Sequence, residues 1–550
     1  MRKITLLIFL INFFLSANLI QGQNVLNNGA TENVFHNPVI PGYYPDPSVC
    51  AVGDDFYLVN STFQYFPGVP VWHSKDLIHW EQIGNVLDRA SQVDLSAGGA
   101  SSGIFAPTIR YNEGKFYMIT TNINLMFSGK SGNFIVTADK PEGPWSEPVF
   151  VDGVMGIDPS LYWEDGRMYV CWSAMNNISL AELDPVTFQM IGKPRNIWEG
   201  DGDSSPEGPH IYKKDGFYYL LIAEGGTEMG HKVNIARSRA IDGPYTSNPS
   251  NPILTQKRRE SAGSLIQGAG HPDLVQASDG SWWIVFLAFR TSAGKQLHTL
   301  GRETCLAPVR WDTNAWPVVN GNGMVDVNMN VPTLPQVVMK QPASRTSFKN
   351  GNKLGFEWIY INNPIETNYI YAKNQLQLKA TSVPLDDPRK TPTFVAKRQT
   401  DINCVVTTQL SLDNAKEGDR AGLTVYMDPK GHYDIALIPA ADGNYYVELS
   451  YRLGAMKHIE KSDKLPNKKA VQFRVEATNA LYSFSYSTDG KKFEKLGSMD
   501  TYFLATETLG GFTGMVFGLF AEGEEGTKAT AHVDWFDYQP GEEYKTSSRF

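Results

Sequence analysis

One short pattern occurs five times in the first 330 residues, and each copy places a proline at the start of an apolar strand. The prolines are Pro47, Pro107, Pro159, Pro209 and Pro272, spaced 60, 52, 50 and 63 residues apart. Each is followed by a turn and an aromatic-rich strand, as in GDDFYLVNSTF and GFYYLLIAEGG. Repeats of this length with roughly four short strands are typical of propeller blades. The pattern predicts a five-bladed β-propeller; a β-sandwich with coincidental turns would not explain the regular phasing of the prolines.

The residue before each proline is polar in four of the five copies. These residues are Asp46, Asp158, Glu207 (one glycine earlier) and His271, whereas the second copy has Ala106. Because the innermost strands of a propeller begin at its axis, equivalent positions converge on one central cavity. Asp46 and Asp158 could each be Asp–Pro turn residues, but three carboxylates in phase favour a site.

Paired carboxylates suit glycoside hydrolysis, in which one carboxylic acid protonates the leaving oxygen and a second carboxylate acts opposite it. When the second group activates water, the two lie roughly 6.5–9.5 Å apart and the anomeric configuration inverts. Asp46 and Glu207, on blades 1 and 4, are expected to face each other across the cavity. Asp158 on blade 3 is expected to lie beside Glu207, where a negative charge raises the pKa of a neighbouring carboxyl.

The chain has 550 residues, which predicts two domains. The propeller pattern spans residues 34–330. Residues 340–540 show short strands of period-two alternation and no helical stretch, which predicts a β-sandwich, so the fold class is all-β. The net charge is −9 and no basic stripe stands out, which argues against a nucleic-acid partner.

The N-terminus is typical of an exported protein. Residues 1–22 combine Arg2 and Lys3 with a short apolar run, which predicts a signal peptide and a periplasmic or secreted location. That run is short for a membrane span, and no other segment resembles one. Export permits disulfides, but buried free thiols are the favoured interpretation of the four scattered cysteines, Cys50, Cys171, Cys305 and Cys404.

Several stretches carry a resemblance to a known family. NPVIPGYYPDPS, STFQYFPGVPVWHSKDLIHW, GIFAPTIRY, GIDPSLYW, SPEGPHIYKKDGFYYLLIAEGGT, GHPDLV and TLGRETCLAPVRW run through all five predicted blades. Together they resemble family 43 of the glycoside hydrolases, in its exo-acting group of β-xylosidases and α-L-arabinofuranosidases. The stretches FTGMVFGLFAEG and HVDWFDY resemble the concanavalin-like, or jelly-roll-like, sandwich that follows the propeller in this group.

The resemblance implies roles for individual residues. Asp46 would be the general base, Glu207 the general acid and Asp158 the modulator of the pKa of the acid. Four further residues would contact the sugar. Phe63 and Phe105 would form walls of the pocket, Arg302 would hydrogen-bond the hydroxyls of the sugar, and Thr227 would touch the sugar. Arg302 has the alternative of being a surface strand arginine.

His271 has two interpretations that the sequence leaves open. It could bind a structural calcium ion, as the resemblance implies, or it could be a hydrogen-bonded core histidine. Hydrolysis itself requires no cofactor.

We expect an inverting exo-acting enzyme that removes terminal α-L-arabinofuranosyl residues from plant cell-wall polysaccharide side chains or oligosaccharides. A β-xylosidase or a dual enzyme is the close alternative, followed by a non-catalytic sugar-binding propeller; a fructan hydrolase fits less well because YPDPS does not match its motif. Two aromatic- and glycine-rich inserts, at 61–72 and 123–134, are expected to close the funnel into a blind pocket for one sugar.

Overall fold

The computed structural model describes residues 34–96, 98–123, 131–258, 263–291, 296–330, 337, 343–348, 354–465 and 470–541. The predicted signal peptide and residues 124–130 of the second predicted insert lie outside this part of the chain. Its helical segments are two 3-10 turns, Glu366–Asn368 and Thr501–Leu504, and one α-helical turn, Thr506–Leu509. Within these described ranges, no helix has the length and apolar character needed to cross a membrane.

Five sheets follow one another along the first part of the chain, which confirms the predicted five-bladed propeller. The strands of blade 1 are Ser48–Val52, Asp55–Val59, Gly68–Ser74 and Glu81–Leu87. Those of blade 2 are Gly103–Ile104, Thr108–Asn112, Lys115–Ile123, Gly132–Ala138 and Val149–Phe150. Those of blade 3 are Ile157–Glu164, Arg167–Ser173, Ile178–Leu183 and Met190–Trp198. Those of blade 4 are Glu207–Lys214, Phe217–Glu224, Lys232–Ser238, Thr246–Ser247 and Leu254–Thr255. Those of blade 5 are Ile266–Gln276, Trp282–Arg290, Glu303–Trp311 and Pro317–Val319.

The innermost strands meet at a buried polar cluster centred on Asp273 of blade 5. Its carboxylate accepts hydrogen bonds from Ser48 Oγ of blade 1 (2.7 Å), Arg110 Nη1 of blade 2 (2.8 Å) and the Tyr212 hydroxyl of blade 4 (2.5 Å). Burial raises the pKa of Asp273, but the neighbouring Arg110 charge outweighs it and lowers that pKa to about 2. The cluster therefore ties four blades together at the axis and joins the last blade to the first.

The second part of the chain forms two eight-stranded antiparallel sheets packed face to face, which confirms the predicted sandwich. One sheet contains Arg345–Ser347, Tyr369–Ala372, Gln375–Lys379, Cys404–Asp413, Val471–Ala477, Leu481–Ser487, Glu494–Asp500 and Thr530–Pro540. The other contains Trp358–Ile361, Thr393–Arg398, Arg420–Asp428, Gly431–Pro439, Tyr445–Leu453, Met456–Lys464 and Val516–Glu522, and its eighth strand is Tyr65–Phe66. Strict alternation of buried and partly exposed side chains along Cys404–Asp413 shows the period of two that the sequence predicts.

The eighth strand of that sheet comes from the propeller. Tyr65–Phe66 follows Phe63 in the first predicted insert and pairs with Tyr360 and Ile361 of the sandwich. A backbone bond from Asn362 N to Gln64 O (2.9 Å) continues this contact. The two domains therefore share one sheet directly beside a predicted pocket wall.

Two further strands and the cysteines complete the fold. Val34–His36 pairs with Asn328–Asn330 and so joins the two ends of the propeller. The four cysteines are buried and none forms a disulfide. This agrees with the buried free thiols that the sequence favours.

Candidate active site

A shared backbone conformation positions the polar residues that precede the blade prolines. Asp46, Asp158 and His271 have left-handed φ values of 53°, 55° and 48°, and Gly208 of blade 4 has 57°. Left-handed backbone is unfavourable for residues with a Cβ and tends to occur at functional sites. In blade 4 a glycine takes this position, so the acidic residue, Glu207, stands one place earlier. This common turn brings Asp46, Asp158 and His271 of three blades to one place near the axis.

Asp46 is buried among three polar groups. The Ser61 hydroxyl donates a hydrogen bond to Asp46 Oδ2, and Arg302 Nη1 donates one of 3.0 Å to Oδ1. His271 Nδ1 lies 3.8 Å from the same Oδ1. Burial acts to raise the pKa of Asp46, but chiefly the charge of Arg302, together with the Ser61 hydrogen bond, lowers that pKa below its ordinary value. Asp46 is therefore a carboxylate at neutral pH.

Asp158 lies beside Glu207 and has the opposite electrostatic environment. It is buried, and the Gly208 N–H donates a hydrogen bond of 3.1 Å to Asp158 Oδ2. Burial, followed by the negative charges of Glu207 and Asp46, raises the pKa of Asp158 well above its ordinary value. Both causes disfavour the ionised form of Asp158. Glu207 keeps 19% of its side chain exposed and is the one of the two carboxyl groups that a ligand reaches.

His271 lies between blades 1 and 4. Its ring lies so close to Gly208 that a Cβ there would be 3.1 Å from it. Burial lowers the pKa of His271, although the charges of Asp46 and Glu207 oppose that shift, which favours a neutral imidazole. The Asp46 oxygen nearest to the ring already accepts a hydrogen bond from Arg302, so a cation bound there would face a guanidinium group. These residues do not fit a calcium ion, and among the described residues no group of three acidic, histidine or cysteine side chains could hold a metal.

His231 is a site residue that the sequence analysis missed. It is fully buried, and its Nε2 lies 3.3 Å from Glu207 Oε1. A Cβ on Gly270 would lie 2.3 Å from the ring, so only glycine at that position leaves room for it. No repeat marks His231, because it directly precedes the third strand of blade 4 rather than the first. A histidine beside three glycines in the stretch AEGGTEMGH was the available signal.

The residues predicted to bind sugar lie on one side of the carboxylates. Arg302 is buried, which excludes a surface arginine, and its Nη1 donates a 3.1 Å hydrogen bond to Thr227 Oγ1. The rings of Phe63 and Phe105 have centroids 5.0 Å apart. Phe512 of the sandwich stacks on Phe63 at 5.6 Å and 25°, and its carbonyl accepts a 3.2 Å hydrogen bond from Arg302 Nη2. The sandwich therefore supplies a third aromatic wall that the sequence analysis did not identify.

Close backbone packing holds the segment that carries Phe512. Met515 N donates a hydrogen bond of 3.0 Å to Thr299 O. A Cβ on Gly514 would lie 2.3 Å from Leu300 O, so these two backbone segments can approach this closely only at a glycine. The position of Phe512 is thus fixed against the segment that leads into Arg302.

Comparison with known proteins finds relatives that match both domains. The model of glycosyl hydrolases family 43 matches residues 35–317, and that of the beta xylosidase C-terminal concanavalin A-like domain matches residues 345–539. A non-reducing end alpha-L-arabinofuranosidase of Bacteroides ovatus is 39% identical over 94% of this chain and 97% of its own length. A xylosidase/arabinosidase of Butyrivibrio fibrisolvens is 37% identical over 89% of this chain and 96% of its own.

A solved structure is also similar along the whole described fold. The GH43B protein of the Bacteroides ovatus xyloglucan PUL superposes with a TM-score of 0.87 at 38% identity, covering 92% of this chain and all of the other. Matches of this extent cover both the propeller and the sandwich. The chain belongs to family 43 of the glycoside hydrolases.

Proposed function

We propose that this glycosidase is an inverting, exo-acting α-L-arabinofuranosidase. The observation that carries the proposal is the contrast between Asp46, whose pKa is lowered, and Asp158 beside Glu207, whose pKa is raised. An ionised base and a protonated acid are the two groups that inverting hydrolysis requires. The arabinofuranosidase relative of Bacteroides ovatus, similar over both domains, supports the choice of sugar.

Asp46 acts as the general base. Its carboxylate takes a proton from a water molecule, which attacks the anomeric carbon from the face opposite the leaving group. Ser61 and Arg302 hold the two carboxylate oxygens in place and keep the group ionised. Because the attacking oxygen arrives from the Asp46 side, the product has the inverted configuration.

Glu207 acts as the general acid and protonates the glycosidic oxygen as the bond breaks. Asp158 lies beside the acid and is held by the hydrogen bond that the Gly208 N–H donates to its Oδ2. His231 packs beside the acid, with its Nε2 3.3 Å from Glu207 Oε1. Glu207 then regains a proton from solvent through its exposed edge.

A β-xylosidase is the second candidate. The planar fork of Arg302 suits a pair of vicinal hydroxyls, and arabinofuranose and xylopyranose present similar hydroxyl arrangements. The Butyrivibrio fibrisolvens relative bears both activities in its name, and the sandwich matches a domain described from beta xylosidases.

The choice of sugar has a direct test. We expect the full chain to hydrolyse 4-nitrophenyl α-L-arabinofuranoside with a higher kcat/KM than 4-nitrophenyl β-D-xylopyranoside, by about tenfold if one extra hydrogen bond favours the furanoside. Parallel initial-rate measurements give the ratio. A ratio that favours the xylopyranoside assigns a β-xylosidase, and hydrolysis of neither contradicts both candidates.

Exo action follows from the aromatic walls. Phe63, Phe105 and Phe512 close one side of the site, so it holds one terminal sugar while the polymer stays outside. We expect monosaccharide as the early product and almost no fall in polymer viscosity.

Phe512→Ala should raise KM by about five- to tenfold, since an aromatic pair contributes about 1 kcal/mol, and should leave kcat largely intact.

Phe503→Ala is the matched control for this substitution. Phe503 lies on the same domain with similar exposure, 44% against 39% for Phe512, but packs on Tyr502 instead of the site. Equal effects of the two substitutions on KM, or early release of di- or trisaccharides by the unmodified chain, would contradict the closed pocket.

The natural substrate and the location complete the proposal. The enzyme acts on side chains or oligosaccharides of plant cell-wall polysaccharides, after export guided by residues 1–22. Comparing the N-terminus of the mature protein in periplasmic and cytosolic fractions tests the export.

A further inference from the structure

A second pocket lies on the C-terminal sandwich and shares no lining residue with the carboxylate site. We call it the sandwich pocket; its volume is about 520 Å³. Polar side chains of neighbouring strands form most of its wall, and those used below are Arg420, His432, Asp434, Glu448, Tyr451 and Arg452. Sites for small organic ligands typically measure about 300–1,000 Å³, so the pocket has the size of a ligand site.

His432 supplies a buried polar atom without a partner. The side chain is only 6% exposed, and its Nδ1 is 2.9 Å from Asp434 Oδ1. Its Nε2 is buried and has no hydrogen-bond partner among the described residues. A buried ring nitrogen without a partner is unfavourable, and a ligand hydroxyl in the pocket would satisfy it.

The charges of the pocket are largely paired with one another. Arg420 contacts the carboxylate of Asp434, and its Nε lies 3.0 Å from Glu522 Oε1. Arg452 Nη1 lies 3.4 Å from Asp386 Oδ2. Lys457 Nζ also lies 2.5 Å from Asp386 Oδ2, so the three cations of the wall are paired with three of its four carboxylates, and Glu448 is the fourth. The pocket therefore offers no site for an anion. It offers instead many fixed donors and acceptors, which suit a neutral ligand rich in hydroxyls.

Glu448 and Tyr451 complete such a surface. Glu448 is half-buried, and burial raises its pKa, with Arg420 opposing and Asp434 reinforcing that shift. A ligand hydroxyl could donate to this carboxylate. Tyr451 and His458 pack with ring centroids 5.3 Å apart, and a β-bulge between Leu449 and Ser450 turns the strand at this point. Aromatic rings beside hydrogen-bonding groups match the amphipathic faces of a sugar.

We propose that the sandwich pocket is a second, non-catalytic binding site for a neutral sugar unit. The choice of sugar as the ligand rests on the proposed function. Leu385 lines the pocket and belongs to the same buried cluster as Phe63, which forms a wall of the carboxylate site. The two sites are therefore joined by one packed layer between the domains, and a polysaccharide held at the pocket stays near the catalytic propeller.

The test counts binding sites in a chain whose turnover of oligosaccharides is slowed by about 10²–10⁴-fold. Calorimetric titration of the full-length Glu207→Gln variant with xylotetraose, and separately with a linear arabinotetraose, should reveal two sites for at least one of them. Adding Glu448→Ala and Tyr451→Ala should weaken one site by about tenfold or more, because a hydrogen bond and a ring contact are lost. Glu476→Ala, an exposed glutamate of the opposite sheet, is the matched control and should retain both sites.

Separate measurements keep the outcomes apart. The pocket substitutions in an otherwise unmodified chain should leave the melting temperature and the kcat/KM for aryl glycosides unchanged. A single site for both tetrasaccharides, or two sites that survive the double substitution, overturns the proposal. Displacement of the second ligand by inorganic phosphate also overturns it, because the site would then be an anion site. If the unmodified chain cleaves neither aryl glycoside but the titration still shows two sites, the proposed function is contradicted while the sugar site in the sandwich pocket is supported.

Discussion

Asp46→Asn should lower kcat/KM by about 10²–10⁴-fold, the range typical of a lost general base. An amide cannot take a proton from the attacking water, whatever the leaving group. Asparagine can still accept the Arg302 hydrogen bond through its side-chain oxygen, so the fold is expected to persist. The loss should therefore be nearly the same for an activated aryl glycoside and for a natural oligosaccharide.

Initial rates on both substrate types measure the effect, and Asp54→Asn is the matched control. Asp54 lies in an exposed turn of the same blade, so its substitution should leave rates unchanged. Because the pKa of Asp46 is lowered, the unmodified enzyme should keep its base ionised down to about pH 4. Proton NMR of the first-formed sugar adds a second readout. Retained configuration, or near-normal turnover by Asp46→Asn, contradicts the assignment of Asp46 as a base.

The sequence could predict the propeller because its repeat is regular. Each blade proline follows a turn, and the phase of Asp46, Asp158 and His271 places them at equivalent strand starts. The same phase implies convergence near the axis, where the structure places all three. The sequence could not show the left-handed backbone that these residues share, since aspartate before proline normally indicates an extended or turn conformation.

The missed residues depend on contacts between distant segments. Phe512 reaches the site from the sandwich because Gly514 allows close backbone packing against Leu300. His231 lies inside blade 4, outside the repeat that marks the strand starts. Neither position follows from periodicity, because tertiary packing between separate elements determines both. A pair of glycines before Phe512 was the only local hint of an aromatic residue held at a turn.

Glu207→Gln is expected to produce a loss that depends on the leaving group. For an oligosaccharide, whose leaving alkoxide requires protonation, kcat/KM should fall by about 10²–10⁴-fold. For an aryl glycoside with a good leaving group, departure needs little protonation, and the fall should be about tenfold or less. The contrast arises because Glu207 is the exposed member of the pair with Asp158 and is the one placed to donate the proton.

A plot of log kcat/KM against the pKa of the leaving phenol decides the assignment. The variant should give a steep negative slope, and the unmodified enzyme a shallow one, because the enzyme protonates poor leaving groups and the variant does not. Glu199→Gln, an exposed glutamate at the end of a blade 3 strand, should keep the shallow slope. If Glu207→Gln lost equal activity on all leaving groups, its carboxyl would act in binding or in water activation. The proton donor would then have to be Asp158, whose buried position beside Glu207 gives it the raised pKa but no exposed edge.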